Sequence, residues 1–403
     1  MLLYRLLISV FAVWQGLRLL LRGDTGALTA RLGGTRPDRE APHLWLHAAS
    51  NGELSSARAV IDALRDARPD LPLLITCNSR SGVDLARGWG HAAQLAPFDL
   101  AWAVRRMLRR WRIAAHITME TEIWPNRVRL CPGPVLVLGA RMTERTARGW
   151  GRLPGLAART LNEITYLSAQ DTASLERFRA LGLPDSAAGP VVDLKAFYTP
   201  PADQVPDAAL RAAYSRTDTW LAASTHEGED EVVIAAHIAA RAHRPGLRLI
   251  LAPRHPRRGD EVAALLSEAG LATSRRSAGE MGAEVLLADS LGEMARWYAL
   301  AGTVFIAGTL TDRGGHTPYE PAAFGAALIH GPDVRNFRAA FTRLHAAGAA
   351  IRIDDAATLA EALIALKAPA DQENQGAAAH RALAQATGSD ELIAHVLDHL
   401  PRH

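Results

Sequence analysis

Residues 44–77 read LWLHAASNGELSSARAVIDALRDARPDLPLLITC. The apolar-rich runs at 44–50 and 71–77 have the length of strands, and residues 54–67 between them place apolar side chains at helical spacing. Short, nearly continuous apolar runs separated by a helix are typical of parallel strands that are buried on both faces. This stretch therefore predicts a β-α-β unit and an α/β fold.

The same alternation of short apolar runs and amphipathic stretches continues through the chain. Helical patterns occur at 230–242 and 359–367, among others. Each half of the chain therefore predicts its own doubly wound sheet, and together they predict two Rossmann-like domains facing a cleft. The further predicted strands lie at 114–119, 134–140, 164–169, 189–193, 219–224, 247–253, 284–288, 303–308, 327–331 and 350–353.

A chain of 403 residues is long for a single hydrophobic core. The proline-rich break near its middle contains Pro200, Pro201, Asp203 and Pro206, and we place a linker there, at 200–206. The predicted organisation is a membrane-anchoring helix at 1–23, a first domain at 24–199 and a second domain at 207–403. The last helix of the second domain can pack back on the first.

Composition narrows the class of protein. Cys77 and Cys131 are the two cysteines of the chain, which argues against a disulfide scaffold. Since no Cys/His cluster has zinc-site spacing, we expect no metal. Neither a Walker A motif nor an early dinucleotide-binding glycine motif is present, so ATPase and dinucleotide enzymes are poor interpretations.

The formal net charge of +3 is unevenly distributed. Residues 1–195 contain 26 Lys and Arg against 17 Asp and Glu, whereas the rest of the chain contains 19 against 25. The front half is therefore expected to prefer anionic surroundings. An uneven surface charge without any partner is the alternative.

Residues 1–22 form an apolar segment interrupted by Arg5, Arg18 and Arg22, with no acid before Asp24. Its uncharged run at 6–17 is shorter than the ~20 residues of a spanning helix. No small-residue cleavage site follows, which argues against a secretory signal. We predict an anchor that is interfacial or a short span with snorkelling arginines, with a cytoplasmic body. The alternative is a buried core helix.

Polar residues follow the predicted strands of the front half, where ligands bind in open parallel sheets. Ser50 and Glu53 have the spacing of a capping box, so Glu53 is either a capping residue or a general base that the helix dipole keeps deprotonated. The same spacing recurs at Ser224/Glu227 and Ser290/Glu293. Glu122 follows the strand at 114–119 and is either a first-turn helix acid or a functional carboxylate.

Four arginines on the predicted helix at 100–111 form either a solvated face or a surface for lipid phosphates: Arg105, Arg106, Arg109 and Arg110.

In the back half, polar clusters at successive strand ends predict a nucleotide site. Hydroxyls at a helix start can seat a phosphate, an arginine beside them adds a charge-assisted bond, and an acid can accept the hydroxyls of a ribose. Each cluster alone is also compatible with an ordinary capped helix. The residues are Ser224, Thr225, Arg254, His255, Gly314, Gly315, His316 and Glu320.

Taken together, these motifs resemble those of the 3-deoxy-D-manno-octulosonic acid (Kdo) transferases of lipopolysaccharide synthesis, a GT-B glycosyltransferase family. The resemblance extends from the N-terminal segment to about residue 355. It is carried by residues 47–53, 119–126, 140–145, 168–171, 224–229, 253–256, 289–293, 314–321, 331–332 and 336–337.

The resemblance implies CMP-Kdo as the donor and the lipid A precursor lipid IVA as the acceptor, at the cytoplasmic face of the inner membrane. It also implies inversion at the anomeric carbon without a metal or other cofactor. Glu53 matches the general base of the family, and Glu122 lies in the acidic motif that helps to position the acceptor or the base. Four of the back-half residues match the part of the family that holds CMP, namely Ser224, Thr225, Arg254 and Glu320, and no nucleic acid partner is expected.

The chain departs from the family pattern at three places. Asp193 and Thr317 stand where the family usually has Asn, and the loop at 78–82 replaces one richer in Thr and Pro. Asp193 places a negative charge beside Lys195, to which we assign a donor contact. The loop bears on the identity of the acceptor.

Three other functions stay open at this point. One is a GT-B enzyme with another nucleotide sugar or acceptor, another is a catalytically silent membrane-bound homologue, and the last is a hydrolase. Glu53, Glu122 and Arg254 together argue against the silent homologue, although a fold alone does not fix a function. A hydrolase would need two carboxylates converging on one bond and no nucleotide site.

Overall fold

The computed structural model describes residues 2–38, 40–201, 204–384 and 388–401. It divides into two compact units. Unit 1 comprises Met1–Phe197 and Gln385–His403, and unit 2 comprises Tyr198–Ala384. Of the predicted linker at 200–206, residues 202 and 203, and with them Asp203, lie outside the described residues.

The core of unit 1 is a six-stranded parallel sheet in the order β3-β2-β1-β4-β5-β6. This is the strand order of a Rossmann fold, in which the order reverses between β1 and β4. All five residues of β1 are buried, as expected of a central parallel strand. The strands are β1 His43–His47, β2 Leu73–Cys77, β3 Ala92–Leu95, β4 Ile113–Met119, β5 Val135–Ala140 and β6 Tyr166–Ala169.

Ten α-helices precede unit 2 in the described part of the chain. They are α1 Leu2–Leu21, α2 Thr25–Arg31, α3 Asn51–Ser56, α4 Arg58–Ala67, α5 Arg80–Gly88, α6 Ala101–Arg110, α7 Pro125–Leu130, α8 Glu144–Gly151, α9 Pro154–Leu161 and α10 Thr172–Ala180.

The single helix predicted at 54–67 is wrong in its detail, because the structure has α3 and α4 instead, separated at Ala57. Ser56 Oγ donates to the Gly52 carbonyl at 2.9 Å, a back-bond that competes with regular helix geometry. The amphipathic spacing nevertheless has its predicted effect, since α4 buries Val60, Ile61 and Leu64.

The strand predicted at 189–193 is also wrong. The backbone beside β6 makes one isolated bridge, between Leu167 and Ala188, and Gly189 N–H and Val192 N–H donate to β6 carbonyls. Pro190 lies between these two donors and has no N–H, so the ladder is interrupted.

Helix α1 is 20 residues long, and within the described residues it is the one helix long and apolar enough to cross a membrane. It is not a buried core helix, because 17% of its apolar window is buried. Ile8 and Ala12 face unit 1, whereas the outward side chains, such as Leu7, Val10 and Trp14, are more than half exposed. This large apolar surface on a peripheral helix is the property expected of an anchor.

Unit 2 contains a seven-stranded parallel sheet in the order β13-β12-β11-β7-β8-β10-β9. Its order reverses between β11 and β7, which is therefore the equivalent of the β4/β1 position in unit 1. The strands are β7 Thr219–Thr225, β8 Arg248–Pro253, β9 Thr273–Arg275, β10 Val285–Leu287, β11 Thr303–Ile306, β12 Ala327–His330 and β13 Ala350–Arg352.

The α-helices of unit 2 are α11 Ala208–Ala213, α12 Asp230–Arg241, α13 Gly259–Glu268, α14 Met294–Leu300, α15 Tyr319–Ala323, α16 Arg338–Ala346, α17 Ala356–Ala365 and α18 Pro369–Leu383. The helices predicted at 230–242 and 359–367 are present as α12 and α17.

The last helix, α19 (Ser389–Asp398), belongs to unit 1 although it follows unit 2 in the chain. Leu392, Val396 and Leu400 are buried in the main apolar cluster of unit 1, and α19 contacts α4. The unit 1 core is thus built from segments on both sides of unit 2 in the chain.

Candidate active site

The first candidate residues lie where β1 ends and α3 begins. Ser50 is the N-cap of α3, and its Oγ accepts the Glu53 N–H at 3.3 Å. Glu53 Oε2 in turn accepts the Ala49 N–H at 2.9 Å, one residue before the cap. Glu53 therefore contributes to the cap of α3, as expected if it is a capping residue.

The electrostatic surroundings of Glu53 give it a second property. Burial raises the pKa of Glu53 to about 7, and the nearby charges of Glu120 and Glu122 add to the rise against the opposing effects of the Ala49 N–H and Lys195. The expectation that the helix dipole keeps this carboxyl deprotonated is therefore wrong, because burial outweighs it. A pKa near the working pH is the value that best suits a general base.

Glu122 follows β4 and behaves in the opposite way. Its Oε2 accepts hydrogen bonds from His47 Nε2 at 3.2 Å, Asn78 Nδ2 at 3.3 Å and Trp124 Nε1 at 2.7 Å. Burial alone raises the pKa of Glu122, but the bonds from His47 and Trp124 and the charge of Arg127 hold it at about 2. Glu122 is therefore ionised at neutral pH while Glu53 is close to half protonated.

His47 belongs to a buried hydrogen-bond chain behind Glu122. Trp45 Nε1 donates to Thr76 Oγ1 at 2.8 Å, and Thr76 Oγ1 lies 2.9 Å from His47 Nδ1. Burial and the charge of Arg127 lower the pKa of His47 to about 4. The Thr76 carbonyl oxygen lies at the same distance, 2.9 Å, from Nδ1, so the neutral ring connects Thr76 to Glu122.

Lys195 lies at the same edge of unit 1. Its Nζ is 2.7 Å from Glu120 Oε1, and its backbone N–H donates to Asp193 Oδ1 at 3.1 Å. Asp193 also accepts a bond from Gln170 Nε2 at 3.2 Å. Lys195 thus belongs to unit 1 with these carboxylates, whereas the other candidate donor residues belong to unit 2.

The four candidate membrane arginines on α6 differ in their surroundings. Arg105 and Arg109 are exposed on the side that carries Trp102, which is 53% exposed. Arg106 and Arg110 are half-buried, and Arg110 Nη1 donates to the Gly34 carbonyl. An exposed tryptophan beside two arginines is a pattern typical of a membrane-water interface.

In unit 2, three histidines meet between β7 and β11. His226 Nε2 and His316 Nε2 are 3.0 Å apart, and their rings are stacked with centroids 5.1 Å apart. The ring of His255 lies edge-on to His226 at 6.3 Å. His316 also bonds to the backbone of Ser224, whose φ of 64° lies in the left-handed region.

Burial is the first cause that lowers the pKa of each of these histidines, and positive charges nearby are the second. The pKa of His226 falls to about 4 with Arg313 and Arg254 among the causes, and that of His316 falls to about 4 with Arg254 among the causes. Arg254 itself is exposed directly after β8. The cluster is therefore neutral at pH 7 inside a positive field, which suits an anion.

The helix start after β7 differs from the prediction. Helix α12 begins at Asp230, five residues after Thr225, and its N-cap residue is Glu229. The fully buried Glu229 carboxylate accepts the N–H groups of His226, Gly308, Thr309 and Leu310 at 2.8–3.1 Å.

Backbone N–H groups that were predicted to be free for a phosphate are thus partly used by the protein itself. Ser224/Glu227 and Ser290/Glu293 are not capping boxes either, because α12 and α14 begin later than that spacing requires.

The glycine-rich segment packs against the end of β11. Gly314 and Gly315 have φ of 82° and 78°, and a Cβ on Gly314 would lie 2.5 Å from Asn336. The Thr317 hydroxyl accepts the Tyr319 N–H at 3.3 Å, a local role for the residue that departs from the family pattern. Glu320 lies in the first turn of α15.

The structure therefore assembles two sets of candidate residues. Each set lies at the switch point of its sheet, the position where the strand order reverses. Within the described residues, no group of three or more His, Cys, Asp or Glu could hold a metal ion. Sequence reasoning gave no role to His47, Glu120 or Glu229. His47 carried a signal, since a histidine inside an apolar strand must find buried partners, whereas the partners of Glu229 come from a distant strand.

Comparisons with known proteins agree with this architecture. The family described as "3-Deoxy-D-manno-octulosonic-acid transferase (kdotransferase)" matches residues 26–197. The 3-deoxy-D-manno-octulosonic acid transferase of Haemophilus influenzae is 30% identical over 86% of this chain and 84% of its own length. The transferase of the same name from Bordetella pertussis is 34% identical over 87% of this chain and 85% of its own length.

A glycosyltransferase from Rickettsia africae, known from its crystal structure, shares the fold at 9% identity. Its TM-score is 0.58, and the match covers 89% of this chain and 98% of that one. The predicted GT-B fold is thereby confirmed. The chain belongs to the Kdo transferase family and is a glycosyltransferase of lipopolysaccharide biosynthesis.

Proposed function

We propose that this enzyme transfers Kdo from CMP-Kdo to lipid IVA at the cytoplasmic face of the inner membrane, with inversion and without a metal, and that Glu53 is the general base. The observation that carries the proposal is the pair of carboxyls at one sheet edge, Glu53 with a pKa of about 7 and Glu122 with a pKa of about 2. Two acids whose surroundings separate their pKa values can take different roles at one pH.

In this mechanism the acceptor hydroxyl oxygen attacks the anomeric carbon of Kdo. Its bond to that carbon forms as the bond from the carbon to the CMP phosphate oxygen breaks, and the hydroxyl proton passes to Glu53. CMP leaves with the electron pair of the broken bond. Because attack and departure occur on opposite faces, a single displacement inverts the configuration.

Glu122 serves the acceptor as a fixed anion. All three of its hydrogen bonds from His47, Asn78 and Trp124 end on Oε2. Oε1 has no hydrogen-bond partner among the described residues, and the carboxylate is 17% exposed. Oε1 is thus available to accept a bond from a sugar hydroxyl and so to orient the nucleophile.

Unit 2 holds the donor in this proposal. Arg254, with the neutral His226/His316 pair, takes up the negative charge of the departing CMP. The N–H groups of Gly314 and Gly315 already donate to Asp333 Oδ2 and to the Gly308 carbonyl. Ser224, Thr225 and His255 adjoin this group, and Glu320 is assigned to the ribose hydroxyls. Lys195, whose Nζ lies 2.7 Å from Glu120 Oε1, keeps its assignment as a donor contact.

The direct test is to incubate the full-length enzyme with CMP-Kdo and lipid IVA and to analyse the lipid by mass spectrometry. We expect the lipid mass to increase by one or more Kdo residues. A lipid of unchanged mass, with transfer restored by another nucleotide sugar or another acceptor, would refute the assignment of substrates.

The metal-independent mechanism needs its own measurement. Transfer in the presence of EDTA should equal transfer without it, and added Mg²⁺ should not increase the rate. Loss of activity in EDTA with recovery on addition of a divalent cation would contradict this part of the proposal.

A further inference from the structure

A cavity of ≈ 410 Å³ lies between α1 and the rest of unit 1. Part of its lining is apolar, with Ile8, Phe11 and Leu19 from α1 and Phe98 from the loop before α6. The rings of Phe11 and Phe98 meet edge-on with centroids 6.2 Å apart. An apolar wall supplied by the membrane-facing helix suits a hydrocarbon chain.

The rest of the lining is strongly basic. It contains the side chains of four arginines and two aspartates. Asp24 forms an ion pair with Arg80, and Asp99 accepts the Tyr4 hydroxyl and two N–H groups at the start of α7. Both aspartates thus already have partners. Because four guanidinium groups face two carboxylates, the cavity wall keeps an excess of positive charge.

Arg31 carries this excess most clearly. Its guanidinium donates to the carbonyl oxygens of Ala96 at 3.0 Å and Asn78 at 2.9 Å and lies 5.7 Å from the Phe98 ring centroid. In the described part of the chain it forms no ion pair with a carboxylate. Arg127 is similar, since it donates to the Pro97 carbonyl and its Nε and Nη1 have no hydrogen-bond partner in the described residues, although it is 3% exposed.

The cavity also reaches the candidate active site. Asn78 and Trp124 both line it, and both donate to Glu122 Oε2. A ligand in the cavity would thus be flanked by an apolar helix, by arginines and by the carboxylate that orients the nucleophile. These are the surroundings needed by a sugar that carries an acyl chain and a phosphate.

We propose that this cavity binds the phosphate of the lipid acceptor and the acyl chain beside it, with Arg31 and Arg80 as phosphate ligands and Phe11 against the chain. The inference rests on the proposed function and deepens it. Arg80 belongs to the segment 78–82, which departs from the family pattern, and is the first residue of α5. The proposed phosphate site therefore contributes to the acceptor specificity of this chain.

The test compares lipid IVA with its dephosphorylated form as acceptors at saturating CMP-Kdo. Arg31→Gln and Arg80→Gln should each raise the KM for lipid IVA by about 10–100-fold, the usual worth of a hydrogen bond to a charged group. The KM for the dephosphorylated lipid should stay close to that of the wild type. Arg31→Lys should keep part of the preference, because it keeps the charge without the forked donors.

Arg87→Gln is the matched control. Arg87 lies on α5 like Arg80 and donates to a backbone carbonyl like Arg31, but it lies outside this cavity. Its loss should leave both KM values unchanged. If Arg31→Gln fails to fold, Arg80→Gln and Arg31→Lys decide the matter.

Two results would overturn the inference while the proposed function stands. These are a wild-type enzyme that uses both lipids equally well, and variants at Arg31 and Arg80 that keep the full wild-type preference. A wild-type enzyme that transfers Kdo to neither lipid would overturn the proposed function and this inference together.

Discussion

Where the strand order reverses in unit 1 the ionisable side chains are mainly carboxylates, whereas at the equivalent position in unit 2 they are mainly histidines and arginines. Burial shifts the pKa values of both sets of side chains, but the charged groups next to the two sets differ. Glu53 is half-buried beside other acids, and burial together with their charges raises its pKa to about 7. His226 and His316 are half-buried near Arg254, and burial together with nearby positive charge lowers their pKa values to about 4.

The comparison shows that two sheets of similar topology can carry two different chemical roles. The unit 1 site can exchange a proton at neutral pH, whereas the histidines of the unit 2 site stay unprotonated and the arginines there offer positive charge to an anion. In the proposed mechanism, proton transfer therefore belongs to unit 1 and charge neutralisation to unit 2. The predictions below, from the largest effect to the smallest, test this separation.

The largest effect is expected for Glu53→Gln. Loss of a positioned base slows proton transfer by roughly 10²–10⁴-fold, so kcat should fall by that factor. The melting temperature and CMP binding should stay near wild type, because glutamine can still accept the Ala49 N–H. Rate measurements combined with calorimetry check both parts.

The matched control is Ser50→Ala, which removes the cap of α3 but keeps the carboxyl. It should cost about 0.5–2 kcal/mol of stability and little rate. If the two variants behave alike, Glu53 is a capping residue and Glu122 becomes the candidate base.

The pH dependence of kcat provides the second test. Since the base acts in its deprotonated form, the rate should fall by about tenfold per pH unit below pH 7 and level off above it. Over the same range the KM for CMP-Kdo should be flat, because His226 and His316 titrate near 4. A rate that does not change between pH 5 and 8 would contradict the role of Glu53.

The acid limb of this profile should move in opposite directions in two variants. Glu122→Gln removes a charge that raises the pKa of Glu53, so the limb should move to lower pH. Lys195→Met removes a charge that lowers this pKa, so the limb should move to higher pH.

In unit 2, Arg254→Ala should raise the KM for CMP-Kdo by about 10–100-fold and leave the pH profile of kcat unchanged. Arg352→Ala is the matched control, since Arg352 also ends a strand but on the edge strand β13, where it bonds to Asp354. Equal losses in both variants, measured by steady-state kinetics, would show that general surface charge and not a site at the switch point is responsible.

The smallest effect on the chemistry is expected from deletion of residues 1–22. The shortened enzyme should move from the membrane to the soluble fraction and lose activity on acceptor in vesicles, while CMP affinity in calorimetry stays unchanged. Residual membrane binding should weaken with salt if Arg105 and Arg109 contribute to it. Membrane association as strong as that of the full chain would refute the anchor.

The sequence predicted the central strands well because they are continuous apolar runs. It missed β3 and β9, whose sequences AAQL and TSR contain little apolar surface, since their pairing depends on a neighbouring strand rather than on their own composition. Glu53 and Glu122 could be found from their places after strands. The direction of the Glu53 pKa shift could not, because it depends on burial and on neighbours that are distant in sequence.

The position of α19 bears on the order in which the protein acquires its structure during synthesis. Helix α1 leaves the ribosome before unit 2 and α19 leaves after it, and the main core of unit 1 includes Leu392, Val396 and Leu400. Unit 2 is a single continuous segment of the chain and can fold before α19 is available. Unit 1 therefore begins to emerge before unit 2, yet its core is completed only after unit 2 has been synthesised.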